Sequence, residues 1–108
     1  MSVDRMRPAD WTVEGTSADN TADTITKAAV AGERHMLTHI TAAADEAAFF
    51  LLTIKSGTTI IWRHFVNTDY DHEFVHPLAM DRGDQVLVDV AAAGAGIATN
   101  CTIAGYTA

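Results

Sequence analysis

The sequence of 108 residues predicts an all-β protein, a single compact β-sandwich at residues 21–108 preceded by an extended N-terminal arm at residues 1–20. Three observations lead there. From Ala22 onward the chain breaks into short runs rich in Thr, Val, Ile and Phe, separated by turn residues at the spacing of sandwiches and barrels. Gln85 to Ala91 alternates strictly, with Val86, Val88 and Val90 on one side and Gln85 and Asp89 on the other, the period-two pattern of a half-buried strand. Helical periodicity reaches only Ala28 to Leu37 and Ala42 to Leu52, where Gly32, Gly57 and the run into Thr53 and Ile54 favour extended structure instead.

The arm, Met1 to about Asn20, is polar and interrupted by Pro8 and Gly15, and after Met6 its only large apolar anchors are Trp11 and Val13. Such a segment docks either on its own core or on a neighbouring subunit. About seven strands follow. Thr24 to Val30 is Ala-rich and ends at Ala31-Gly32; Arg34 to Thr41 sets Met36 and Ile40 on one face and Leu37 on the other. Ala42 to Ala47 reads as a loop or single helical turn. Ala48 to Lys55 is a continuous apolar run suited to a strand buried on both sides, and Lys55-Ser56-Gly57-Thr58 turns it into a partner at Thr59 to Val66. Asn67 to Asp71 reads as a polar connection and Glu73 to Leu78 as a strand. Asp81-Arg82-Gly83-Asp84 forms a tight turn with Gly at its left-handed position, and Ile97 to Tyr106 closes the fold with Ile97, Cys101 and Ile103 on one face.

One core and one domain fit this length. The formal net charge is −7, with seven Lys and Arg scattered among fourteen Asp and Glu, so phosphate backbones would be repelled and nucleic acid is not an expected partner. The longest apolar run, Ala47 to Leu52, falls far short of the ~20 residues of a membrane-spanning helix, and the N-terminus lacks a signal-peptide pattern. Neither a membrane nor secretion is expected. The lone Cys101 lies in a strand-like segment and reads as a buried, inert thiol.

The residues that tempt a catalytic reading do not assemble into one. His72-Glu73-Phe74-Val75-His76 satisfies H-E-x-x-H, but that motif serves zinc only on a helix, and here Pro77 follows directly. On a strand, two His four residues apart are separated by about 13 Å at ~3.3 Å per residue, too far to share one ion. His35 and His39 repeat that spacing, and His64 stands alone in the hairpin. Asn67, Asp69, Asp71 and Glu73 alternate like an oxygen-rich calcium loop yet lack its Gly, and they read as a solvated acidic loop. No glycine-rich phosphate loop or nucleophile elbow occurs. The expectation is a protein with no enzymatic activity, no cofactor, no metal and no catalytic residue.

Two stretches carry a resemblance. Leu78-Ala79-Met80-Asp81-Arg82-Gly83-Asp84-Gln85-Val86-Leu87-Val88 resembles the penultimate strand entry of compact jelly rolls of the complement and tumour-necrosis-factor type, and Ile103-Ala104-Gly105-Tyr106 is similar to their last strand. With the Lys55 to Val66 hairpin they also resemble small head-decoration (cement) proteins of bacteriophages, which pair an N-terminal arm with an Ala-, Thr- and Gly-rich sandwich. The resemblance covers roughly residues 22–108. It implies a jelly-roll-like sandwich that assembles as a homotrimer and binds the major capsid protein on the capsid surface of a virion, after synthesis in the host cytoplasm. Met6, Trp11 and Val13 are then the arm's interface anchors, and Trp62, Phe65 and Tyr70 serve either core or subunit contact. A tail or fibre-tip module recognising a host surface ligand is the alternative, with Tyr70 on the Asn67 to Asp71 loop as its surface contact.

Overall fold

The computed structural model describes residues 9–108. Met6 lies outside them. Eight strands and no helix occur among the described residues: β1 (Trp11–Thr16), β2 (Asp23–Lys27), β3 (His35–Ala44), β4 (Phe49–Ser56), β5 (Thr59–Asn67), β6 (Asp69–Ala79), β7 (Val86–Val90) and β8 (Thr99–Thr107). Every pairing is antiparallel, in the order β1-β8-β3-β6-β5-β4-β7-β2. The link between β6 and β5 is a single residue pair, Asn67 with Asp69. There the ribbon folds over into two four-stranded sheets, β1-β8-β3-β6 and β2-β7-β4-β5. Only the β4–β5 hairpin joins neighbours within one sheet; all other connections cross between sheets, which is jelly-roll topology.

Alternation supplies the core. Phe50, Leu52 and Ile54 of β4, Val86, Val88 and Val90 of β7, Ile25 of β2 and Val66 of β5 face Leu37, Ile40 and Ala42 of β3, Cys101 and Ile103 of β8 and Phe74 of β6 in one buried cluster. The shortest extent of 19 Å accommodates two layers about 10 Å apart.

The sandwich begins ten residues earlier than expected. Trp11–Thr16, assigned to the arm from sequence, pairs along its whole length with β8, and its inward Trp11 and Val13 pack on the core. Gly15 and Gly105 explain why this strand was hard to see. A side chain on Gly105 would meet the Met36 carbonyl oxygen and the Trp11 ring, so the small residue that weakens a strand pattern is what lets Trp11 dock.

Four further expectations are corrected. Leu37 and Ile40 both point inward, because β3 bulges at Thr38: Leu37 pairs with Gly105 and His39 with Ala104, leaving Thr38 as the extra residue, its hydroxyl donating to the Ala104 carbonyl. The loop expected at residues 42–47 is strand as far as Ala44. The polar connection at residues 67–71 shrinks to a corner at Thr68, and β6 starts at Asp69. Against β3, β6 breaks register between Glu73 and Leu78, and Pro77, which cannot donate to a ladder, sits in that excursion on the sheet edge. The β4 run is buried on both sides only in its middle, at Thr53 and Ile54; Phe49 at its start is 72% exposed.

Ser56 ties the hairpin to the turn before β7. Its hydroxyl donates to Asp84 and accepts from the Asp81 N–H, each at 2.8 Å, beside Gly57 at φ 62° and Gly83 at φ 82°. Replacing Gly105 with Ala is expected to cost about 2–3 kcal/mol through overpacking. Urea unfolding followed by tryptophan fluorescence should show the lower midpoint.

Candidate functional site

Functional side chains are placed here by the two edge strands that meet at the Thr68 corner. The inward positions of β5 at Trp62 and His64 face those of β6 at Tyr70, His72 and Phe74, since each strand repeats every two residues. Five rings therefore stack where the sheets part. His64 lies 4.2 Å from Tyr70 at 23°, Tyr70 lies 5.8 Å from His72 at 7°, and Trp62 stands 5.7 Å from His64 and 6.2 Å from His72. Phe74 closes the array edge-on, 4.6 Å from His72 and 5.8 Å from Trp62. Trp62 and Tyr70 also pack against the core, and Phe74 belongs to it. Partial burial raises the Tyr70 phenol above its ordinary pKa.

Tyr70 is thus a strand residue in a ring stack, not the tip of a loop. Of the three aromatics left open between core and interface, Trp62 and Tyr70 are half-buried, and Phe65 is 73% exposed. The sequence carried a usable signal for the stack: rings at every second position, W-x-H before the Asn67-Thr68-Asp69 corner and Y-x-H-x-F after it.

The histidines take separate roles. His35 is buried and structural, its Nε2 2.7 Å from the Ala28 carbonyl, where it must donate, and its Nδ1 2.8 Å from the Thr107 hydroxyl. Trp11 meets that ring edge-on at 5.7 Å, and Lys27 lies 5.6 Å over the Trp11 ring. His39 Nε2 is 2.5 Å from Asp71 Oδ1 on the outer face. His72 and His76 both lie on β6, so the H-E-x-x-H match sits on a strand; among the described residues no three His, Cys, Asp or Glu gather as a metal site.

The outer faces of the two sheets differ in chemistry. On β4 and β5 the outward positions carry Phe49, Leu51 and Phe65, with Phe49 and Phe65 on the diagonal set by the pairs Phe49–Asn67 and Leu51–Phe65. Beside them Arg63 is exposed, with no acidic partner among the described residues, whereas Lys55 is held by Asp89 at 2.8 Å. On the opposite sheet the outward row of β6 is acidic: Asp69, Asp71 and Glu73. The acidic loop expected here is strand. Ala43, paired with Asp69 on one side and Asn100 on the other, has too short a side chain to fill its place. The result is an open depression of about 450 Å³ bordered by Thr41, Asp69, Asp71 and Asn100.

Cys101 is 1% exposed, and burial, reinforced by the negative charge of Asp23, pushes its thiol up to about 12. Such a group is no nucleophile at neutral pH.

No protein-family model matches this chain, and no curated protein is significantly similar to it. The native thiol is expected to resist aromatic disulfide reagents at pH 8 and to react fully in denaturant. Because the folded thiol keeps its proton to about pH 12 while an unfolded one loses it near 9, the folded state binds more protons between these values. Its contribution to stability should fall as pH rises through that window, and replacing Cys101 with Ser should remove this part of the slope in pH-dependent denaturation.

Proposed function

We propose that this chain is a structural protein of a virus particle that decorates and stabilises a bacteriophage capsid, binding the major capsid protein as a self-associating subunit on the capsid surface. The observation that carries this is the outward pair Phe49 and Phe65, more than seven-tenths exposed and diagonal neighbours across the β4–β5 hairpin beside Leu51, on a sandwich of net charge −7. Two large rings side by side on the outside of a sheet favour a covered state, because burying each removes roughly 150–250 Å² from water. A cement role needs such surface and no reaction chemistry. In this reading the protein is no enzyme, takes no cofactor, assembles as a homotrimer, is made in the host cytoplasm, and has neither nucleic acid nor membrane as a partner.

The ring stack favours a second reading. Among the described residues, no side-chain hydrogen bond engages His64, Tyr70 or His72, so the stack presents polar ring atoms beside partly open aromatic faces. A tail or fibre-tip module recognising a host surface ligand would use such a surface.

An antibody raised against the chain and visualised with gold on phage particles from the source culture separates the two. Even labelling over heads is the expected result; label confined to the tail tip would replace the cement role with the second reading, and unlabelled particles would sink both.

A further inference from the structure

Two features on opposite outer faces complement each other. One is the apolar patch of Phe49 and Phe65 with the unpaired cation Arg63; the other is the acidic depression floored by Ala43. Within that depression Asp71 is already engaged by His39, while Asp69 has no side-chain partner among the described residues. A free guanidinium next to two exposed rings, and a free carboxylate next to a dent of matching polarity, are left over in the same chain.

We propose that the Phe49–Phe65–Arg63 surface of one copy seats in the Ala43 depression of a second copy, with Arg63 of the first pairing with Asp69 of the second. This rests on the self-association assumed in the function proposed above and names the surfaces that perform it. The charges decide the occupant. The chain carries −7 overall, so two copies repel unless an interface sets its scarce cations against its carboxylates, and of the described cations Arg63 is the one beside the apolar patch.

Area sets the extent of the contact. Two rings exposed to this degree contribute roughly 200–350 Å² of apolar surface, whereas a specific interface takes about 800 Å² per partner. The patch alone is too small, so the contact extends over the outward residues around the depression, Thr41, Ala43 and Asn100 among them. Because the contact joins two different surfaces, it is heterologous, the kind that closes into a ring such as a trimer when the rotation permits.

The test uses the purified chain alone, so it stands apart from any capsid. Light scattering across a concentration series gives the oligomer mass and its dissociation constant for the wild type, R63D, D69R, the R63D/D69R double variant and F49S/F65S. Each single charge reversal is expected to weaken association at least tenfold and the double variant to recover to within about threefold of wild type, with F49S/F65S monomeric. Circular dichroism melts check that these surface variants stay folded. A wild type that is monomeric throughout, an oligomer indifferent to F49S/F65S, or a double variant no better than the singles would each overturn the proposal. The first two of these would leave the patch for the capsid protein, to be read in the antibody experiment.

Discussion

A β-branched residue held at a left-handed φ costs about 1–3 kcal/mol, and Thr68 is held there, at φ 66°, by the way the chain passes from one sheet to the other. Its N–H donates to the Ala48 carbonyl at 2.6 Å, its own carbonyl accepts from Ala44 at 2.7 Å, and its hydroxyl accepts from Ala48 at 3.3 Å. These bonds fix the ends of β3 and β4 to the corner between β5 and β6. Since that corner sends β5 to one layer and β6 to the other, the inward side chains of both strands are brought ring against ring, and their outward side chains diverge to opposite faces. The stack, the exposed Phe65 and the acidic row from Asp69 all follow from one strained residue.

The same corner leaves two sheet edges open beside each other, and they are managed differently. The β6 edge is blunted by Pro77, by the register break between Glu73 and Leu78, and by its carboxylates. The β5 edge runs for nine residues with Arg63 as its single permanently charged side chain and with Ile60 and Phe65 exposed. An edge of that kind invites pairing unless something covers it. It lies next to the exposed Phe49 surface, so the open edge and the apolar patch occupy the same side of the sandwich.

Much of the architecture was legible because burial imposes a period of two. The strands at Val86–Val90 and Thr59–Asn67, the Gly83 turn and the inert Cys101 follow from pattern and turn chemistry alone. What escaped the sequence depended on contacts between distant residues. β1 looked like an arm because Gly15 interrupts it and because its partner lies some ninety positions away; the inward turn of both Leu37 and Ile40 needed the bulge opposite Gly105 and Ala104. At the site, Tyr70 and Phe65 were picked out as aromatics, but their opposite environments were set by the alternation along their strands, Tyr70 at an inward position of β6 and Phe65 at an outward position of β5. Phe49 was hidden inside the apolar run Ala48 to Lys55, yet it stands exposed as the first residue of β4.

Placement of β8 between β1 and β3 has a bearing on how the chain is made. β8 is synthesised after β1 and β3 yet lies between them, so each of those two strands keeps an unsatisfied edge until β8 inserts. Synthesis at about 5–20 residues per second then sets an interval during which the nascent molecule exposes its apolar faces. A chain cut off before Thr99 lacks the strand that joins β1 to β3, and that layer stays open.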